Sequence, residues 1–171
     1  ELVAYRSPGG ALSVNFGTFV VLVRPGQTAG SPALAAIDPP VPSIKLETTA
    51  TTAAGTRTRL SVGFNPPEKD STGRSLVPSG TIGVDAEPAE YRYPVSHPAE
   101  YTGEVFKLVL QQRGIKFGKP TVKLAAVPDD VQRLAIARSQ PLSVLVRSVN
   151  KLSNNYMAEH ILKTLDPATP Q

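Results

Sequence analysis

Val149-Asn150-Lys151-Leu152-Ser153-Asn154-Asn155-Tyr156-Met157-Ala158-Glu159-His160-Ile161-Leu162-Lys163-Thr164-Leu165 sets a polar triplet, Ser153 to Asn155, between two apolar-periodic segments. Ahead of the triplet, Leu142, Leu145, Val146 and Val149 recur at i, i+3, i+4 and i+7, which predicts a helix. Ser139 stands where its N-cap belongs and Pro141 near its first helical position. Behind the triplet, Met157, Ile161, Leu162 and Leu165 share one helical face, and Glu159 with Lys163 makes an i, i+4 ion pair of the favourable orientation. Asp166-Pro167 stops this second helix. The triplet thus falls at a helix–helix joint, where a hydroxyl and amides face any adjoining cleft.

Upstream, Ala11 to Val23 is β-branched and aromatic-rich, first alternating and then continuously apolar, and reads as strand. Arg24-Pro25-Gly26-Gln27 is a turn, and Ser31 to Ile37 allows a second strand before Asp38-Pro39-Pro40, so the pair suggests a hairpin. Ser13-Val14-Asn15 is a second Ser-x-Asn match. In an alternating strand its two polar residues are ordinary positions on one face. Between Val41 and Tyr93 lie short β-like pieces, Ser43–Leu46, Thr58–Phe64 and Gly80–Val84, with Asn65–Gly73 as a loop and Thr48–Ala54 as a strand edge or loop. The period then changes. Tyr101, Val105, Leu108 and Val109, with Pro98 near the start and Gly114 at C′, predict an amphipathic helix. Gly114–Gly118, Thr121–Ala125 and Val131–Arg138 read as short strands. The succession is α+β.

Composition narrows the function classes. The 171 residues carry a net charge of +4, and the basic residues, among them Arg57, Arg59, Lys107, Arg113, Lys116, Lys119 and Lys123, are scattered rather than clustered with aromatics. That pattern is a solvated surface and argues against nucleic acid as a partner. The absence of cysteine removes thiolate chemistry, disulfides and Cys-based metal sites. His97 and His160 are far apart and belong to no His-x-x-x-His pair, so no metal and no cofactor are expected. No run approaches the ~20 apolar residues of a bilayer span. Glu1-Leu2-Val3-Ala4-Tyr5 has no basic n-region before an apolar stretch. The alternation begins within a few residues of Glu1 and the chain stops just past a helix, which reads as a fragment or processed piece.

Asn150 to Leu165 resembles the Ser-x-Asn signature of the D-alanyl-D-alanine carboxypeptidase/endopeptidase family, the low-molecular-mass class C penicillin-binding proteins. Three further stretches resemble the family in the same order. They are Gly10–Asn15 leading to Val23-Arg24-Pro25-Gly26, Pro98-Ala99-Glu100-Tyr101 opening a helix that closes at Arg113-Gly114-Ile115, and Ser139-Gln140-Pro141-Leu142.

The resemblance implies part of a penicilloyl-serine transferase, β-lactamase-like domain plus a largely β inserted region. Residues 1–128 would be the insertion, in two small subdomains with roughly 41–93 the more variable, and 129–171 would be a strand and two helices of the catalytic domain. It implies that Ser153 relays a proton to the leaving group, that Asn155 clamps the substrate amide, and that Lys151 adds positive charge nearby. The implied substrate is a peptidoglycan stem peptide, β-lactams are the implied inhibitors, the remainder of the same enzyme is the implied partner, and the implied location is the periplasm or cell envelope.

The family's other two signatures do not appear in their places. Ser148-Val149-Asn150-Lys151 matches Ser-x-x-Lys literally, yet it overlaps the triplet stretch, whereas the family's nucleophile lies far upstream on a separate helix. Lys163-Thr164-Leu165 lacks the glycine of Lys-Thr-Gly and sits in a predicted helix. The chain is therefore expected not to turn over substrate alone. The alternative reading is a non-catalytic binding or scaffolding module that keeps the fold. A third, an anion-binding protein, would require strongly salt-dependent binding.

Overall fold

The fold is taken from a computed structural model, which describes residues 8–65, 74–118 and 121–165. The N-terminus Glu1–Tyr5, nearly all of the loop expected over Asn65–Gly73, and the Asp166-Pro167 stop lie outside these residues.

The strand expected over Ala11 to Val23 forms only in its apolar half, as β1 (Thr18–Arg24). Before it, Asn15–Gly17 make a 3-10 turn in which Asn15 and Phe16 take φ of 52° and 55°. Ser13 and Asn15 therefore do not share a strand face. The Thr18 hydroxyl donates to the Asn15 carbonyl at 2.7 Å and stabilises the turn locally.

β1 is the middle of a three-stranded antiparallel sheet between β2 (Leu34–Asp38) and β7 (Ala89–Pro94), with Val21 opposite both Ile37 and Tyr91. The expected hairpin is present. β7 was not anticipated, although Ala89-Glu90-Tyr91-Arg92-Tyr93 alternates with the period of a strand.

The second sheet is built on β6 (Arg74–Gly83). β5 (Arg59–Asn65) pairs antiparallel along its whole length, and β3 (Ile44–Leu46) and β4 (Thr51–Ala53) run parallel to its two ends. Between β3 and β4 the ladder continues irregularly, because the Glu47 N–H donates to the Leu76 carbonyl at 3.0 Å and the Thr49 N–H to that of Pro78 at 2.9 Å. Pro78 has no N–H to give, which is why the sequence reading recognised only the Gly80–Val84 end of this strand.

The two sheets share one core. Phe19, Val21 and Val23 of β1 bury their alternate positions with Leu76 and Ile82 of β6, Ala33, Val41, Ala50 and Val95. Each of the larger side chains contributes about 1.5–3 kcal/mol of hydrophobic transfer. Tyr93 joins the sheets at one end, with Phe19 at 6.0 Å and Phe64 edge-on at 5.2 Å. Thr52 joins them at the other, its N–H donating to the Ser31 carbonyl and its Oγ1 accepting from the Gly26 N–H, both at 2.8 Å.

Helix α1 (Pro98–Gln112) lies against this core through Tyr101, 3% exposed, whose hydroxyl donates to the Thr18 carbonyl at 3.3 Å. Burial pushes the Tyr101 phenol up to about 12; a hydrogen bond with Asn15 opposes the rise, and the negative charges of Asp38 and Glu104 add to it. Gly114, at φ 88°, ends α1 as expected. Its N–H donates to the Gln111 carbonyl and that of Ile115 to the Leu110 carbonyl, a Schellman closure that needs a left-handed residue at this point.

The strands expected over 114–118, 121–125 and 131–138 do not form: the described residues there carry no regular structure and are almost all exposed, Leu134 at 90%. A strand is stable only when paired, and no described strand runs beside these residues. Beyond them come α2 (Leu142–Leu152) and α3 (Asn155–Leu165). Two sheets and three helices make the protein α+β, and none of its described helices is long and apolar enough to cross a membrane.

Candidate active site

The α2–α3 joint is made by three polar residues with three separate local roles. α2 starts at Leu142 with Pro141 in the N-cap position. Ser139 is not the cap, since its hydroxyl turns to the Gln140 carbonyl at 3.1 Å. At the far end Ser153 takes the left-handed conformation, φ 50° and ψ 44°, its N–H donating to the Val149 carbonyl. That conformation costs a non-glycine residue roughly 1–2 kcal/mol, and it reverses the chain in a single residue.

Asn154 then begins α3. Its Oδ1 accepts the Met157 N–H at 3.0 Å and its carbonyl accepts the Ala158 N–H at 3.1 Å, which makes it an N-cap. Asn155 is the first helical residue, so its side chain has no capping duty. Ser153 and Asn155 are both exposed, and neither side chain has a hydrogen-bond partner among the described residues. Lys151, also exposed, stands in the last turn of α2, where a cation complements the helix dipole. Lys151, Ser153 and Asn155 thus stand within five positions of one another at one exposed joint.

The two look-alike motifs are absorbed by helix. The Ser148 hydroxyl donates to the Val144 carbonyl at 3.0 Å, and that of Thr164 to the Ile161 carbonyl at 2.7 Å. Two cavities in the described residues lie away from the joint. One of about 130 Å³ sits between α1 and the start of β3, lined by Ser43, His97, Glu100, Tyr101 and Glu104 among others. Ser43 donates to Glu104 there at 2.6 Å, and His97 pairs with Glu100 at 3.4 Å. None of Lys151, Ser153 and Asn155 borders it. No group of residues able to hold a metal ion occurs among the described residues.

On α3 the expected Glu159–Lys163 pair forms at 2.7 Å and holds the Glu159 carboxyl below its ordinary range. The buried face is not the one the periodicity indicated. Tyr156 is the buried residue of α3, stacked on His160 at 4.1 Å and edge-on to Phe16 at 6.2 Å, while Leu162 and Leu165 are exposed. Asn154, Tyr156 and His160 were the structural residues missed. For Asn154 the signal was available, an Asn immediately before an apolar-periodic run.

Among curated proteins the sequence has no significant match. Two similar solved structures are both of penicillin binding protein 4 (dacB) from Haemophilus influenzae. One is complexed with a novel β-lactam, at TM-score 0.62 and 19% identity, covering 92% of this chain and 35% of that one. The other has TM-score 0.63 and 20% identity, covering 92% and 34%. The fold is thus that of part of this penicillin-binding protein, and the chain spans about a third of its length. The sequence profile of the D-Ala-D-Ala carboxypeptidase 3 (S13) family matches residues 1–171, so the chain belongs to that family of carboxypeptidases.

Proposed function

We propose that this chain is the Ser-x-Asn-bearing portion of a serine-type D-Ala-D-Ala carboxypeptidase or endopeptidase that acts on peptidoglycan peptides through an acyl-enzyme and binds penicillins. One observation carries the reading: a strained Ser153 and an exposed Asn155 flank a capping Asn154, so the first and third triplet residues are free for substrate. Residues 1–128 are read as the inserted region and 129–171 as the return to the catalytic domain, whose nucleophile and Lys-Thr-Gly strand are supplied from outside these residues. The protein then acts in the periplasm or cell envelope, where its substrate is.

In the proposed reaction a serine hydroxyl outside this chain attacks the carbonyl carbon of the penultimate D-Ala, and the C–N bond to the last residue breaks. Ser153 relays a proton to the departing amine, which cannot leave as an anion at neutral pH. Asn155 donates and accepts hydrogen bonds along the substrate's peptide edge and so holds the carbonyl in line for attack. Lys151 strengthens the positive field around the carboxylate-terminated substrate. β-Lactams acylate the same serine.

A labelled penicillin tests the reading. The full-length protein is covalently labelled, Ser153→Ala or Asn155→Ala slows acylation about a hundredfold or more with the fold intact, and residues 1–171 by themselves take no label. Label appearing on Ser148, or unchanged rates in both variants, would contradict it.

A further inference from the structure

We propose that His160 is a positioning residue, a strap whose imidazole ties the backbone at Gly10 to α3 and thereby fixes the Ser153–Asn155 joint for acyl transfer. The proposal rests on the function given above.

The geometry places one ring proton. His160 Nδ1 is 2.8 Å from the Tyr156 carbonyl, an acceptor only, so Nδ1 carries the proton. In the neutral ring Nε2 is then an acceptor, and the Gly10 N–H donates to it at 3.3 Å across 150 positions of sequence. A doubly protonated ring would instead offer Nε2–H to the Gly10 carbonyl at 3.1 Å. The backbone comes very close here. A Cβ on Gly9 would stand 2.8 Å from the Lys163 Nζ, the movable end of a flexible side chain, and 3.2 Å from the His160 Cε1, so the arm lies directly against the side chains of α3. Lys163 is itself paired with Glu159, and among the described residues the imidazole makes the polar contact between arm and helix.

What makes the strap matter is how little else among the described residues anchors the joint. α2 has no buried residue, and Tyr156 is the buried residue of α3. Tyr156 sits between His160 and Phe16, and Phe16 belongs to the 3-10 turn that opens β1. The arm also passes along α1, where the Leu12 carbonyl lies 3.4 Å from Thr102 Oγ1, whose single proton goes to the Pro98 carbonyl at 2.7 Å. Through Gly10 and Tyr156, α3 is therefore referred to the β1 sheet and α1. The contact lies within two turns of the Asn154 cap, so slack in the strap becomes slack in the direction of Ser153 and Asn155.

The test uses the full-length protein with His160→Phe, which keeps an aromatic ring on Tyr156 but has no acceptor, and His160→Gln, which keeps an acceptor. Amide exchange of the segment over residues 8–17 and the rate of acylation by a labelled penicillin are measured for each. The Phe variant is expected to exchange about tenfold faster in the arm and to be acylated about tenfold more slowly, and the Gln variant to recover to within about threefold of the unsubstituted protein on both. Unchanged arm exchange in the Phe variant overturns the strap. Faster exchange with an unchanged acylation rate overturns the positioning role, as does failure of Gln to recover either. Absence of labelling in the unsubstituted protein overturns the function reading and the positioning role with it, while the exchange rates still decide the strap. Ring nitrogen NMR of His160 needs no variant: a neutral ring protonated on Nδ1 supports the assignment, and one protonated on Nε2 overturns it.

Discussion

Ser153 carries both the strain and the proposed chemistry of the joint, and the two can be separated. Its left-handed backbone favours glycine, so Ser153→Gly is expected to raise stability in thermal unfolding by about 1 kcal/mol while slowing penicillin acylation. Opposite signs in the two measurements are what a residue kept for its hydroxyl produces, and a variant that leaves acylation intact would remove that hydroxyl from the reaction. Asn154 behaves in the reverse sense. Loss of its cap in Asn154→Ala is expected to cost about 1 kcal/mol in denaturant unfolding, with a smaller effect on acylation than either neighbour. At this scale the sequence singles out the joint itself, because a polar triplet between two apolar-periodic runs is conspicuous. It was silent on their division of labour, since whether a residue caps or stays free depends on backbone angles at the joint.

Among the elements, β6 is the one on which the second sheet depends. Leu76 is fully buried on it, shared between the two sheets' core, and Leu76→Ala is expected to destabilise the protein by about 2–5 kcal/mol in denaturant unfolding. A loss under 1 kcal/mol would mean that the two sheets are not packed on one another. The helices were the legible part. Pro98 and Gly114 bracket α1, and the 3.6 period of Leu142, Leu145, Val146 and Val149 belongs to α2. Strands were legible only where local pattern and pairing agreed. Pro78 hid half of β6, whereas the alternation of Ala89 to Tyr93 carries the ordinary signal of a half-buried strand and was legible. Thr121–Ala125 and Val131–Arg138 have strand-like composition but no described strand beside them, so pattern alone could not make them strands.

At the scale of the whole molecule, α1 is joined to the β1 sheet through the buried Tyr101 phenol, and this joint has a pH dependence. Its folded pKa of about 12 lies above the ordinary 10.0, so the folded state favours the neutral phenol. The corresponding stability is complete below pH 10 and is lost as the pH rises from 10 toward 12. Thermal midpoints recorded across that window are expected to fall, and Tyr101→Phe to flatten the fall; a Phe variant with the same slope would place the titration elsewhere.

The exposed apolar residues from Leu124 to Leu165, and a chain that spans about a third of the similar penicillin-binding protein structures, fit the proposal that this fold completes its catalytic half with residues from outside it. The most direct measurement is a crystal structure of the full-length protein acylated by a penicillin. Ser153 Oγ and an Asn155 side-chain atom within about 3.5 Å of the bound adduct, with the acyl bond on a serine outside residues 1–171, is the predicted result; an adduct on Ser148, or one that neither Ser153 nor Asn155 touches, would contradict it.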